Sequence, residues 1–176
     1  MEFVTLGKTN LMVSRSGLST RRLELVSSQG ITNILNASYQ AGINFYEFSC
    51  QAMECASDAG SFFYDKRKNV VISVTTEVTD ETNISSKIDF SLSKLYMDYI
   101  DVFNLKSDDK FFGKESAEYN SLVCAKNDGK INFFGFYTQN LDIAKQIIES
   151  KLYDIIHFPL NLCSSDEEFE LVKLCQ

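Results

Sequence analysis

The sequence lacks the features that usually divide a chain into separate units. Its 176 residues contain a single proline, Pro159, and no linker rich in proline or glycine, no low-complexity tract and no block of like charge interrupts them. Apolar residues make up 44% of the chain, which is enough to form a real core. The sequence therefore predicts one globular domain spanning residues 1–176.

A basic excess and a long apolar run are missing as well. The 17 basic residues against 24 acidic ones give a net charge of −7 and a pI near 4.8. Nucleic acids and anionic membranes attract basic patches, so this balance argues against both as partners. No apolar stretch approaches the roughly 20 residues of a membrane span. The start, MEFVTLGKTN, lacks the basic beginning and apolar core of a signal peptide, so we expect a cytoplasmic protein.

The cysteines follow no repeated spacing, and their number is odd; they are Cys50, Cys55, Cys124, Cys163 and Cys175. An odd count without paired spacing argues against a disulfide framework. No second pair accompanies Cys50 and Cys55 at the spacing of a zinc or iron–sulfur site. We therefore expect reduced, mostly buried thiols and no metal site.

What the sequence does contain is a regular alternation of strand and helix patterns. It begins with a predicted hairpin at residues 3–14 that turns at Gly7–Asn10. Predicted strands then lie in SGLST, INFYEF, NVVISVTT, YIDVFNL, INFFGFYT and YDIIHFPLN, and helical spacing recurs at 30–42, 54–65, 83–95, 141–151 and 165–175, with a further helix ending at Gly129. About six strand–helix units in strict alternation predict an α/β fold, an incomplete TIM-barrel-like (β/α) sheet covered by helices.

Six fragments of the chain resemble the aldo-keto reductases in order and in spacing. They are LGKTNLMVSRSGLST, AGINFYEF, NVVISVTT, MDYIDVFNLK, GKINFFGFYT and LYDIIHFPLNL. Together they span essentially the whole chain, and the likeness is greatest to the bacterial branch whose members often carry a C-terminal ferredoxin-like segment. The resemblance implies a (β/α)₈ barrel that moves hydride between NADPH and a carbonyl. Because this chain carries about six units, it also implies a truncated barrel.

Other residues occupy the catalytic positions that the resemblance implies. The family uses an aspartate, a tyrosine, a lysine and a histidine at the ends of barrel strands 2 to 4. Those positions read Glu47, Ala52, Thr75 and Lys106 in this sequence. In the family the tyrosine donates a proton and the lysine lowers its pKa. Ala52 has no proton to give and Thr75 carries no charge, so the resemblance predicts an inactive site.

The positions that contact nicotinamide in the family have also changed. They carry Tyr137, Thr138, His157 and Asn161, of which Asn161 alone fits the family pattern. The loops after the last two barrel strands, which supply a phosphate site in many barrels, have no counterpart in these 176 residues. We therefore expect no bound cofactor, although NADPH is the cofactor that the family implies.

Four side chains have a chemical and a structural interpretation. Glu47 suits a general acid or base, or one partner of an ion pair. Lys106 suits a Schiff-base amine only if its pKa is lowered, which a neighbouring Glu47 would oppose. His157 is a possible base or a strand histidine satisfied by a neighbour. Cys50 is a possible redox thiol or an inert one, since no cation near it in sequence would favour a thiolate.

The changed positions predict a specific contact and leave three functions open. We expect Glu47 to reach Lys106 across Thr75, because strands 2 and 4 lie roughly 10 Å apart. The three functions are a pseudoenzyme that acts through binding or assembly, an oxidoreductase with a rebuilt or partner-completed site, and a remnant without function. Six strands leave two sheet edges, so we also expect a homo-oligomer or a partner that covers them.

Overall fold

The computed structural model of the chain describes residues 1–50, 53 and 56–175. A short hairpin comes first, followed by strands and helices in alternation. The strands are β1 (Phe3–Thr5), β2 (Met12–Ser14), β3 (Leu18–Ser19), β4 (Phe45–Ser49), β5 (Val71–Glu77), β6 (Ile100–Lys106), β7 (Ile131–Tyr137) and β8 (Ile155–His157). The helices are α1 (Ser28–Gln40), α2 (Ala56–Phe63), α3 (Ile84–Leu95), α4 (Ala117–Asn127), α5 (Leu141–Ser150) and α6 (Asp166–Leu174).

Strands β3 to β8 form one parallel sheet in sequence order, and β1 pairs with β2 in antiparallel fashion. The sheet curls into a half-barrel whose edges are β3 and β8. This arrangement confirms the predicted incomplete (β/α) barrel and its N-terminal hairpin. Below, the mouth is the end of the half-barrel at the C-termini of β4 to β8, and the base is the opposite end.

Polar side chains begin the helices and glycines end two of them. Each of five helices has a serine or asparagine whose side chain accepts a backbone N–H of the first turn, namely Ser27, Asn83, Ser116, Asn140 and Ser165. Ser165 and Glu168 form the predicted capping box. Gly42 and Gly129 follow α1 and α4 with φ of 87° and 74°, a left-handed conformation that glycine adopts without strain.

The core lies between the outer face of the sheet and the helices. Side chains alternate along each strand, and the outward set is buried: Tyr46, Phe48, Ile72, Val74, Phe103, Leu105, Phe134 and Phe136. The aromatic residues of INFYEF and INFFGFYT that point outward are therefore core residues. The inward set faces the interior of the half-barrel and contains the polar residues discussed below.

A buried ion pair joins the base of the half-barrel. Nη2 of Arg67 lies 2.8 Å from Oδ2 of Asp101, and the two side chains are 14% and 8% exposed. Arg67 also donates to the backbone carbonyls of Val70 and Tyr99 and stacks on the Tyr99 ring. Asp101 accepts the backbone N–H of Ile72 at 2.8 Å. These contacts fix the start of β5 against the start of β6.

Two expectations need correction, and one falls partly outside the described residues. Of the described cysteines only Cys50 is buried, so the expectation of mostly buried thiols is wrong. The predicted strand at 153–161 is shorter, because only Ile155–His157 pairs with β7. The predicted helix at 54–65 is α2, and Cys55 lies outside the described residues. Within the described ranges, no helix is long and apolar enough to cross a membrane.

Candidate functional site

The interior of the half-barrel contains a cleft of about 300 Å³ between β4 and β8. We call this space, together with its lining residues, the interior cleft. Its lining is mainly apolar and includes Leu6, Phe45, Val102, Ile155, Ile156, Phe158 and Leu160. Glu47, Ser73, Asn104 and His157 supply its polar groups. An apolar cleft with a few convergent polar groups is the usual form of a small-molecule site.

A chain of hydrogen bonds runs along the inner face of the sheet towards Glu47. Nδ2 of Asn104 donates to Oγ of Ser73 at 2.9 Å and, more weakly, to Oγ1 of Thr75 at 3.4 Å. Oγ1 of Thr75 donates in turn to Oε1 of Glu47 at 3.2 Å. Thr75, the residue across which Glu47 was expected to reach Lys106, is thus itself the hydrogen-bond donor to Glu47. The carboxylate is held in place by a neutral side chain.

His157 lies across the interior from Glu47. Its Nδ1 is 3.9 Å from Oε1 of Glu47, and the two side chains are 46% and 30% exposed. The imidazole packs on the ring of Tyr137, with 4.6 Å between ring centroids. His157 thus has neighbours on two sides, but the separation from Glu47 exceeds a hydrogen bond. A protonated imidazole at this place would form an ion pair with the carboxylate.

The predicted ion pair between Glu47 and Lys106 is wrong. Nζ of Lys106 lies 3.4 Å from Oε1 of Glu77, the residue directly opposite it on β5. Glu47 is opposite Ser73, which is itself opposite Val102 on β6. Lys106 therefore lies four residues beyond Glu47 in register, about 13 Å along the strand direction. The distance between strands β4 and β6 would allow Glu47 to reach Lys106. The register of the strands prevents this contact, because it offsets the two residues along the strand direction.

The other predicted positions that the structure describes do not line the interior cleft, although the ring of Tyr137 packs on His157, which does. Thr138 is buried and donates to Oδ1 of Asp108, which ties the loop after β7 to the loop after β6. Oδ1 of Asn161 accepts the backbone N–H of Cys163 and closes a turn after β8. Ala52 lies outside the described residues.

Cys50 follows β4 but faces the helices. Its Sγ lies 3.3 Å from Oγ of Ser91 on α3. Burial raises the pKa of the Cys50 thiol, so the protonated form dominates at neutral pH. This agrees with the interpretation of an unreactive cysteine.

Three polar residues of this region were absent from the sequence-based site. Ser73 and Asn104 lie on the same strand faces as Thr75 and Lys106, two residues away in each case. Glu77 continues that face by one further step on β5. The two-residue period of side chains was the signal that could have found all three.

The polar side chains that the resemblance assigns to the cofactor and to catalysis have partners of their own among the described residues. The Thr138 hydroxyl donates to Asp108 in the loop after β6, the Asn161 carboxamide oxygen accepts within its own turn, and Lys106 pairs with Glu77. In the part of the chain that the structure describes, no three histidine, cysteine, aspartate or glutamate residues are grouped to hold a metal. No chemical step is therefore assigned to either group.

Solved structures of longer proteins have the same architecture as this chain. A protein from Pseudomonas aeruginosa described as a putative aldo-keto reductase superimposes with a TM-score of 0.85 at 20% identity, covering 97% of this chain and 72% of that one. An aldo-keto reductase from Bacillus halodurans, in its holo form, gives 0.84 at 17% identity, covering 98% of this chain and 63% of that one. No protein-family model and no curated protein matches the sequence. The chain has the aldo-keto reductase fold in incomplete form, as the sequence resemblance implied.

Proposed function

We propose that the protein is an aldo-keto-reductase-like pseudoenzyme that acts through binding and does not reduce carbonyls with NADPH. The proposal rests on the contacts of Thr75 on β5 and Lys106 on β6, which occupy the positions of the catalytic lysine and histidine that the resemblance implies. Thr75 offers a neutral hydroxyl to Glu47, and Lys106 is paired with Glu77 at the rim. Lys106 also lies over the Tyr137 ring, with Nζ 5.8 Å from the ring centroid, but it donates to Glu77 and not to the phenol oxygen. Neither position therefore supplies the lysine–phenol hydrogen bond that the implied chemistry uses.

The binding role is supported by the interior cleft. Its size falls at the lower end of small-molecule sites, and its polar groups are few and close together. The cleft extends through the interior from Leu6 and the first residues of β4 and β8 to His157 at the end of β8. Identities of 17–20% to the solved structures give the fold, and the activity of those proteins is not carried over.

The experiment is a carbonyl-reduction assay with a panel of aliphatic and aromatic aldehydes. NADPH oxidation should not exceed the rate measured without protein. A turnover that depends on protein concentration and is lost in Glu47→Gln would contradict the proposal. The same protein batch should unfold cooperatively in urea, so that inactivity is not caused by misfolding.

A second candidate function rests on one observation, the approach of His157 to Glu47. A carboxylate near an imidazole can orient it for acid–base chemistry. This favours an oxidoreductase with a rebuilt or partner-completed site. Turnover that appears only after addition of a partner polypeptide, and disappears in His157→Gln, would favour this function over the pseudoenzyme.

Assembly is part of the proposed role. Strands β3 and β8 form the two ends of the sheet, and an unpaired edge is a template for association. We expect a homo-oligomer, or a partner that covers these edges. Light scattering across a hundredfold range of protein concentration should show a mass that rises above 20.0 kDa. A constant mass equal to that of one chain would contradict self-association.

A further inference from the structure

The polar floor of the interior cleft is rich in hydrogen-bond acceptors. Asn104 is only 3% exposed, and its Oδ1 has no hydrogen-bond partner among the described residues. Its Nδ2 faces Ser73 and Thr75. Because the Thr75 hydroxyl donates to Glu47, the Thr75 oxygen is an acceptor, which places the amide nitrogen on that side. Oδ1 of Asn104 lies against Gly135 on β7 and is closed to solvent, so it adds negative partial charge beneath the cleft without binding a ligand directly.

Gly135 allows the Asn104 amide to occupy this place. A Cβ atom at residue 135 would come within 2.3 Å of Oδ1 of Asn104 and 2.9 Å of the Ile155 carbonyl oxygen. Any larger residue on β7 would therefore displace the amide. The position of the acceptor is set by the close approach of β6, β7 and β8.

The charge that faces the cleft is negative. Glu47 is the acidic side chain of the lining, and Thr75 is a neutral neighbour. Lys106 is paired with Glu77 and does not line the cleft. His157 is the other titratable group of the lining, and at 3.9 Å it does not hydrogen-bond to the carboxylate. An anionic ligand would meet repulsion here, and a carbonyl oxygen would meet acceptors.

We propose that the interior cleft binds a small organic amine. The ammonium group donates to the Glu47 carboxylate, which is 30% exposed, beside the neutral floor of Ser73 and Asn104. The apolar body of the ligand packs against Phe45 and Val102. This assignment names the ligand class of the binding role proposed above, and its test is independent of NADPH turnover.

The probes for the test are 2-phenylethylamine and two molecules of similar shape, 2-phenylethanol and phenylacetate. Each is titrated into ¹⁵N-labelled protein and followed by NMR. The amine should bind at least about fivefold more tightly than the alcohol, because its hydrogen bonds to the carboxylate are charge-assisted. The carboxylate should bind most weakly. Backbone signals of Glu47, Ser73 and Asn104 should shift.

Matched variants separate charge at the cleft from overall charge. In Glu47→Gln the amine and the alcohol should bind with equal affinity. Glu149→Gln changes the net charge by the same amount on the exposed side of α5 and should preserve the amine preference. Val102→Phe fills the cleft and should weaken all three probes, which tests the location if Glu47→Gln does not fold.

Four results for the native protein, and one for a variant, would overturn the proposal. They are equal affinity for the three probes in the native protein, tighter binding of phenylacetate, no binding of the amine at the limit of solubility, and shifts confined to residues outside the cleft. Persistence of the amine preference in Glu47→Gln would also overturn it. A reductase activity with normal amine selectivity would instead contradict only the proposed lack of catalysis.

Discussion

The base and the mouth of the half-barrel hold their charges in different ways. At the base, Arg67 and Asp101 are nearly buried, lie 2.8 Å apart and share further hydrogen bonds with backbone groups. At the mouth, Lys106 and Glu77 are 28% and 43% exposed and 3.4 Å apart, and His157 stands 3.9 Å from Glu47. The base is a fixed scaffold, whereas the mouth consists of loosely paired groups.

This difference shows which part of the fold has the stricter structural requirements. A buried charge must keep its partner, because removal of one member leaves the other uncompensated. Half-exposed charges can be exchanged at little cost, since water screens them. The base therefore tolerates less change than the mouth, where the side chains differ from those that the resemblance implies.

The largest predicted effect is at the base. Asp101→Asn removes the charge that faces Arg67 and weakens the acceptor of the Ile72 N–H. The free energy of unfolding should fall by about 3–5 kcal/mol, measured from the urea midpoint and slope. Asp109→Asn, on an exposed loop position, should stay within about 0.5 kcal/mol of the native protein. A loss below about 1 kcal/mol for Asp101→Asn would show that the base is not a buried scaffold.

A second effect concerns the contact between α2 and α3. A Cβ atom at Gly60 would lie 2.3 Å from the carbonyl oxygen of Leu95, which is backbone and cannot rotate away. Gly60→Ala should therefore destabilise the protein by about 1–3 kcal/mol, although alanine normally favours a helix. Gly113→Ala is the control, because its Cβ would meet a neighbour only at an ordinary 3.5 Å. An increase in melting temperature for Gly60→Ala would contradict the close approach.

The smallest effects are expected at the mouth. A double-mutant cycle with Glu77→Gln and Lys106→Met should give a coupling of about 0.2–1 kcal/mol. The parallel cycle with Glu47→Gln and Lys106→Met should be additive, because these side chains are separated by the register. A larger coupling in the second cycle than in the first would restore the original expectation of a Glu47–Lys106 pair.

The sequence predicted the architecture well because the architecture depends on local periodicity. Apolar residues at helical spacing and short strand-forming runs recur through the chain, and Ser165 and Glu168 mark a helix start. These signals do not depend on distant contacts. The alternation of strands and helices could therefore be predicted from the sequence alone.

The ion pairs at the mouth could not be predicted from local periodicity. The predicted third and fourth barrel strands stop at residues 76 and 105, one residue before Glu77 and Lys106, which β5 and β6 include. Which residues face each other then depends on the register between β5 and β6, and a sequence pattern does not fix that. His157 reaches the neighbourhood of Glu47 only through the curl of the sheet, which is a property of the whole fold.

We propose that the mouth does not accept the nicotinamide cofactor of the reductases whose fold the chain shares. Charge-assisted hydrogen bonds to such a cofactor contribute about 1.5–3 kcal/mol each, and the described residues at these positions are engaged elsewhere. The most direct measurement is a titration with NADPH, followed by the fluorescence of the nicotinamide. We predict no saturation up to about 1 mM. A saturable signal with a micromolar dissociation constant would contradict the account.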